Sequence, residues 1–210
     1  MRKNPRIGIM GGTFDPIHHG HLFAAEEARV RFGLERVVFV PCGQPPHKQG
    51  KVISAAEHRY LMAALATATN PHFEVSRVEI DREGPSYTID TLRTFRERLY
   101  PGAELFFITG ADAILEILTW RDPEAVLREA RCIAVARPGH DLSRLAEAIG
   151  PERAAAVELL DQPTLDISST EIRQRVGDGL PIRYLTPTPV VQYILKEALY
   201  ARSDAGVPVA

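Results

Sequence analysis

The sequence predicts an α/β protein with a Rossmann-like, doubly wound and mostly parallel sheet that carries helices on both faces. Short apolar runs rich in β-branched residues alternate with longer helix-forming stretches, and that alternation is typical of parallel strands joined by crossover helices. The chain has 210 residues, 45% of them hydrophobic, which is enough for one substantial core. We therefore expect a single domain over residues 1–201 and a disordered tail over residues 202–210.

Six apolar runs are predicted strands: Ile7–Met10, Val37–Val40, Phe73–Ile80, Leu105–Ile108, Cys132–Ala136 and Ala156–Leu160. Six helices are predicted near residues 21–32, 55–69, 88–99, 111–118, 122–130 and 142–149. Loops rich in glycine, proline and polar residues follow four of the strands, at residues 11–13, 41–48, 109–112 and 137–140. Because ligands of such folds bind beyond the carboxyl ends of the strands, we expect these loops to form one binding edge.

Charge and cysteine content narrow the classes of partner. A formal net charge of −2 provides no general attraction to nucleic acid or to an anionic membrane, so we expect neither as a partner. Cys42 and Cys132 lie in apolar, strand-like contexts, which fits a reducing compartment better than a disulfide framework. The N-terminus lacks the apolar stretch of a signal peptide. We expect a cytoplasmic protein. The sequence does not decide whether it is a monomer or a homo-oligomer.

The segment after the first predicted strand has the composition of an anion-binding site. Gly11 and Gly12 allow backbone amides to approach an anion closely. His18, Gly20 and His21 then open a helix, whose positive end favours negative charge. A metal site at His18, His19 and His21 is the alternative interpretation, although both cysteines are far away in sequence and a closed site usually needs a fourth ligand.

A second segment has a similar character near the other end of the chain. Ser168 and Glu171 have the spacing of a capping box at a helix start, and a well-capped helix is the simplest interpretation. Ser169 and Thr170 also place hydroxyl groups beside the free N–H groups of that helix, while Arg173 has a guanidinium suited to phosphate. We therefore predict a polyphosphate site between the two helix starts.

The segments Gly11–His21 and Ile167–Arg173 resemble the nucleotidyltransferase superfamily with the His-x-Gly-His signature, and more closely the bacterial nicotinate-nucleotide adenylyltransferases. Five further segments agree with the narrower resemblance: Pro45–Lys48, Glu83–Leu92, Gly110–Asp112, Trp120–Arg121 and Arg137–Gly139. The resemblance covers residues 6–200. It implies transfer of the adenylyl group of ATP to nicotinate mononucleotide, which gives nicotinate adenine dinucleotide (deamido-NAD) and pyrophosphate in NAD biosynthesis, with Mg²⁺ arriving with ATP.

The resemblance also implies roles for individual residues. The catalytic residues would be His18, His21, Lys48 and Arg173. The ATP contacts would be Gly11, Gly12, Thr13, Phe14, His18, Gly20, His21, Arg137, Ile167, Ser168, Ser169, Thr170 and Arg173. The nicotinate mononucleotide contacts would be Asp15, His47, Lys48, Tyr87, Thr88, Gly110, Asp112 and Trp120. Among these, Trp120 would stack on the pyridine ring, and the backbone amides of Tyr87 and Thr88 would face its carboxylate. No side-chain metal site is implied.

Three other functions fit parts of the pattern. An adenylyltransferase of the same superfamily could prefer nicotinamide mononucleotide or another phosphorylated acceptor, such as phosphopantetheine. A regulator could bind nucleotides without catalysis. A hydrolase could use the histidines to hold a metal.

Overall fold

A computed structural model describes residues 4–45, 53–136, 145–160 and 165–201. At its centre lies a sheet of six parallel strands: β1 (Arg6–Gly12), β2 (Arg36–Pro41), β3 (Phe73–Val75), β4 (Glu104–Gly110), β5 (Arg131–Val135) and β6 (Val157–Leu160). Their order across the sheet is β3-β2-β1-β4-β5-β6. The predicted doubly wound, Rossmann-like class is thereby confirmed.

The chain reverses its direction across the sheet between β1 and β4. From β1 it crosses to β2 and then to β3, whereas β4, β5 and β6 extend to the other side. Strands β1 and β4 lie side by side at this reversal and pair with Met10 opposite Ile108. In open α/β sheets this reversal point opens a crevice beyond the carboxyl ends of the strands. We call this space the crevice.

Nine helices are described: α1 (His19–Phe32), α2 (Ala56–Thr67), α3 (Thr88–Thr94), α4 (Ala111–Leu115), α5 (Pro123–Glu129), α6 (Leu145–Ile149), α7 (Pro151–Ala154), α8 (Ser169–Gly177) and α9 (Thr188–Lys196). A π-helical turn, Phe95–Leu99, extends α3, and a 3₁₀ turn, Ile117–Thr119, follows α4. None of the helices in the described ranges is long and apolar enough to cross a bilayer.

Alternating strand side chains divide the apolar interior between the two faces of the sheet. In β4, Phe106 and Ile108 join one cluster, whereas Leu105 and Phe107 join the other. Helices α1, α2, α8 and α9 contribute buried residues to the first cluster, and α3, α4, α5 and α6 contribute to the second. The prediction of helices on both faces is therefore confirmed.

Three elements differ from the sequence prediction. The strand predicted over Phe73–Ile80 ends at Val75, because the chain turns there: Asp81 N–H donates to Arg77 O at 2.9 Å. The short α7 was not predicted. Nor was α9, whose Pro189 lies in the first turn, where proline is tolerated because its missing N–H would have no partner within the helix. The predicted disordered tail lies outside the described residues.

Candidate active site

The first predicted anion motif forms the link between β1 and α1. His18 is the N-cap of α1 and has an extended backbone. Its side chain is buried and stacks on His21, with ring centroids 3.6 Å apart. His18 N–H donates to His21 Nδ1 at 3.2 Å. Because Nδ1 of His21 accepts this bond, the proton of the neutral ring is on Nε2, which makes Nε2–H a donor.

Only part of the predicted donor capacity of α1 remains for a ligand. His19 N–H already donates to Leu185 O at 3.0 Å. The predicted binding of an anion here therefore depends on the Nε2–H donor of His21 and the positive end of the helix dipole as well as on the remaining backbone N–H groups.

A cavity of about 140 Å³ lies at the crevice. His18 and His21 line it from the start of α1, Thr109 and Gly110 from the end of β4, and Ile167 from the approach to α8. The structure therefore brings together residues from three segments that are far apart in sequence.

The second motif packs against the first. Ser168 is the N-cap of α8, and its Oγ accepts from Glu171 N–H at 3.1 Å, so the predicted helix start is confirmed. Ser169 Oγ donates to the carbonyl oxygen of Pro16 at 2.8 Å. The guanidinium of Arg173 donates to Asp15 O at 2.7 Å. The first turn of α8 is thereby fixed to the segment that joins β1 to α1.

The guanidinium of Arg173 also donates to Thr170 Oγ1 at 3.3 Å. These two bonds use two of the five N–H groups of an arginine side chain, and they hold the guanidinium in one orientation. Arg173 is thereby placed beside the link between β1 and α1, and its predicted contact with phosphate stays a prediction.

The carboxylate of Asp15 has internal partners. Its Oδ1 accepts from the hydroxyl of Tyr200 at 2.7 Å, and its Oδ2 accepts from Ser54 N–H at 3.3 Å. The side chain is 4% exposed. Burial raises the pKa of Tyr200, and the neighbouring Asp15 raises it further. The predicted contact of Asp15 with nicotinate mononucleotide stays a prediction, and the sequence carried no signal for its pairing with Tyr200.

The turn between β1 and α1 is tightly packed. Phe14 has a left-handed backbone with φ of 50° and presents its buried ring to His21, with centroids 5.1 Å apart. A Cβ at Gly12 would lie 2.9 Å from the Phe14 ring, so any larger residue here would force that ring to shift. Arg59 donates to the carbonyl oxygen of Thr13 at 2.8 Å. Sequence reasoning missed Arg59, because nothing in the predicted helix 55–69 distinguishes this arginine from a surface residue.

The residues predicted to face the pyridine ring lie around the second cluster. Tyr87 is the N-cap of α3 and Thr88 is its first residue, so this predicted helix start is confirmed. Trp120 is half-buried and places its ring against Phe107, with centroids 5.9 Å apart and planes at 90°. The guanidinium of Arg121 lies 4.8 Å from the centre of the Tyr87 ring.

The loop after β4 leads directly into α4. Gly110 is the N-cap of α4, and Asp112 is an exposed residue of its first turn. The helix begins at residue 111, as predicted, and its α-helical part ends at Leu115. The predicted contact of Asp112 with nicotinate mononucleotide stays a prediction.

Three predicted site residues, His47, Lys48 and Arg137, lie outside the described residues. Within those that are described, no group of three histidine, cysteine or acidic side chains is placed to hold a metal ion. Burial raises the pKa of Cys42 and of Cys132 to about 12. Both thiols are therefore protonated at neutral pH and are poor nucleophiles.

Comparison with known proteins identifies the family. The family model described as cytidylyltransferase-like matches residues 9–175. A protein of Moorella thermoacetica named "Probable nicotinate-nucleotide adenylyltransferase" is 56% identical over 205 residues, which cover 96% of this chain and 94% of that protein. The chain belongs to the nicotinate-nucleotide adenylyltransferase family. The resemblance noted from the two sequence motifs is confirmed.

Other nicotinate-nucleotide adenylyltransferases agree in sequence and in fold. A relative of the same name from Leifsonia xyli is 57% identical over 199 residues, which cover 95% of this chain and 96% of that protein. The solved nicotinic acid mononucleotide adenylyltransferase of Plasmodium falciparum, complexed with NaAD, superposes with a TM-score of 0.77 at 24% identity, covering 94% of this chain and 98% of that one. The family consists of nucleotidyltransferases, so we set aside the non-catalytic regulator and the metal-dependent hydrolase.

We expect Gly20→Ala to lower the adenylyltransferase activity, because the added methyl group would displace the side chain of His18. The added Cβ would lie 3.0 Å from His18 Nδ1 and 3.3 Å from Leu165 O, so the imidazole must shift. Displacing a catalytic group by a fraction of an ångström to 1 Å should lower kcat about 10- to 100-fold. Steady-state kinetics test this, with Val30→Ala as control, because Val30 lies on the same helix and is 64% exposed. Unchanged kcat in Gly20→Ala would contradict the expectation.

Proposed function

We propose that the chain transfers the adenylyl group of ATP to nicotinate mononucleotide, giving nicotinate adenine dinucleotide and pyrophosphate. The observation that carries the proposal is the docking of two helix starts on one short segment: His18 and His21 begin α1, while α8 anchors Arg173 on Asp15 O. A triphosphate between them meets donors and positive charge from both sides. The names of the relatives support the same reaction.

The chemistry requires positioning more than covalent catalysis. The phosphate oxygen of the mononucleotide attacks the α-phosphorus of ATP in line; the bond to that phosphorus forms as the bond to pyrophosphate breaks. The attacking phosphate is already ionised at neutral pH, so no general base is needed. Catalysis then comes from orientation and from stabilisation of charge on the phosphate oxygens. His21 Nε2–H is the fixed donor, and Arg173, with Lys48, supplies positive charge to the leaving pyrophosphate.

Mg²⁺ is part of this proposal as the companion of ATP. Phosphate oxygens and water supply the ligands of such an ion, which keeps much of its hydration shell. The residues of this chain then bind and orient the Mg–ATP complex, and they do not need to bind the metal ion by themselves. The other ATP contacts implied by the family resemblance, Arg137 included, complete the proposed nucleotide site.

The acceptor is proposed to be the acid and not the amide. The start of α3 presents the backbone of Tyr87 and Thr88, and N–H donors there would favour a carboxylate. A nicotinamide group would place its own NH₂ donors against those donors, which costs about 1–3 kcal/mol. Trp120 would supply the flat apolar surface for the pyridine ring.

Substrate profiling tests the reaction and the choice of acceptor together. Mg–ATP would be combined with nicotinate mononucleotide, nicotinamide mononucleotide or phosphopantetheine, and the dinucleotide product quantified by chromatography. We expect kcat/KM for the acid to exceed that for the amide by about 5- to 150-fold, the equivalent of 1–3 kcal/mol. A higher value for the amide would overturn the acceptor assignment, and no dinucleotide with any acceptor would overturn the reaction.

The cytoplasmic location and the absence of nucleic-acid and membrane partners stay predictions from the sequence. The choice between monomer and homo-oligomer is likewise open.

A further inference from the structure

Arg59, a buried arginine of α2, connects three loops at the carboxyl edge of the sheet. Its side chain is 1% exposed. Nη1 donates to Thr13 O at 2.8 Å, Nη2 to Gly43 O at 3.2 Å and Nε to Ser54 O at 3.0 Å. All three acceptors are backbone carbonyls, so the fork geometry of the guanidinium fixes the orientation of three peptide groups at once.

A carbonyl fixed in this way also fixes the N–H that follows it. The peptide group is rigid and trans, so the C=O of one residue and the N–H of the next point to opposite sides. The Gly43–Gln44 peptide illustrates this: its oxygen accepts from Arg59 at 3.2 Å, while Gln44 N–H donates to Ser86 Oγ at 3.2 Å. The Arg59 bond to Thr13 O directs Phe14 N–H away from the guanidinium by the same geometry.

The environment of Phe14 suggests what its N–H serves. Phe14 lies between the end of β1 at Gly12 and the N-cap His18, and its ring contacts His21. The residue is 2% exposed, yet within the described ranges no atom accepts a hydrogen bond from its N–H. A buried backbone donor normally has a partner, and a phosphate oxygen in the crevice would provide one.

We infer that Arg59 is a positioning residue for the nucleotide site: it holds the Thr13–Phe14 peptide so that Phe14 N–H donates to a phosphate group of the substrate. The inference rests on the proposed function, because it takes the ATP contact of Phe14 that the family resemblance implies and assigns to Arg59 the task of holding that contact in place. Arg59 contacts neither substrate directly. Its effect on catalysis passes through the peptide and should fall more heavily on ATP and pyrophosphate than on nicotinate mononucleotide.

Isotope labelling can test the proposed donor in the unaltered protein. The sequence contains two Thr-Phe pairs, Thr13-Phe14 and Thr94-Phe95. Carbonyl-¹³C threonine combined with ¹⁵N phenylalanine therefore selects only these two amides in a carbonyl-filtered spectrum. Phe95 is fully buried in the second cluster and is an internal control. Titration with inorganic pyrophosphate should shift the Phe14 signal saturably and leave Phe95 unmoved; an unmoved Phe14 signal would overturn the inference.

Arg59→Lys tests the positioning role by kinetics. Lysine keeps the charge but concentrates its donors on one atom, so it cannot hold three carbonyls in a fork. We expect kcat to fall about 10- to 100-fold. Pyrophosphate should bind more weakly, and KM for nicotinate mononucleotide should rise less than the affinity for pyrophosphate falls. Thr67→Val is the matched control, since Thr67 donates to Ala63 O within the same helix at 2.9 Å.

The two proposals can fail separately. Absence of dinucleotide synthesis by the unaltered protein would contradict the proposed function, whatever the variants do. With synthesis present, a loss of kcat in Arg59→Lys no larger than in Thr67→Val, or an equal weakening of both substrates, would show that Arg59 only stabilises the fold. If Arg59→Lys does not fold, the labelling experiment on the unaltered protein decides the question.

Discussion

Replacing His21 with alanine should lower kcat for dinucleotide formation about 10²- to 10³-fold, the loss typical of removing one fixed donor to a developing oxyanion. The structure supplies the reason: Nδ1 of His21 accepts from His18 N–H at 3.2 Å, which leaves Nε2–H as the donor. Affinity for ATP should change far less than kcat, because the donor acts mainly on charge that develops in the transition state. Pre-steady-state kinetics and equilibrium binding would separate the two effects.

Two further replacements divide the roles of the His21 ring nitrogens. Asparagine places an acceptor near the position of Nδ1 and can retain the bond from His18 N–H, but it lacks a donor at the position of Nε2. Glutamine reaches the Nε2 position with an amide donor and loses the acceptor. We expect His21→Gln to retain more activity than His21→Asn. The reverse order would mean that His21 acts by fixing the start of α1 and not as a phosphate donor.

Replacing Gly43 with alanine should destabilise the fold strongly. An added Cβ would overlap the carbonyl oxygen of Glu79, which lies on another backbone segment and cannot rotate away as a side chain would. We expect a loss of about 3 kcal/mol or more in the free energy of unfolding. For a domain of this size that corresponds to a decrease in Tm of about 6–12 °C. Thermal unfolding followed by circular dichroism measures it.

Gly110→Ala is the matched control for this prediction. Gly110 has φ of −67°, which alanine adopts readily, and a Cβ there would have no atom within 4 Å. Its Tm should therefore stay close to that of the unaltered protein. Equal Tm values for the Gly43→Ala and Gly110→Ala variants would show that the segment after β2 moves freely to relieve the overlap.

The parts of the fold that depend on local pattern could be predicted from the sequence. All six strands were located, because apolar runs such as Val37–Val40 are buried on both sides and carry little polar interruption. The starts of α1, α3 and α8 were also predicted, since residues such as Ser168 give a recognisable cap. The two site motifs are local as well, and the structure brings them together at Asp15 and Pro16 as predicted.

The parts that depend on distant contacts could not be predicted. Arg59 is one of many arginines in the sequence, and nothing local shows that three carbonyls surround it in the fold. Tyr200 meets Asp15 across 185 positions. Buried Glu79, which lies in the turn after β3, likewise accepts from Thr91 Oγ1 on α3 at 2.7 Å. Periodicity carries no information about such pairs.

The hydrogen bond between Tyr200 and Asp15 has a consequence for the order of events during synthesis. The partner of Asp15 is made 185 residues after the loop that bears Asp15. At about 5–20 residues per second, this loop waits roughly 10–40 s for Tyr200. A nascent chain with β1 to β6 already formed would still lack the contact that closes the Asp15 loop. We therefore expect nucleotide binding to be acquired only after Tyr200 has been synthesised.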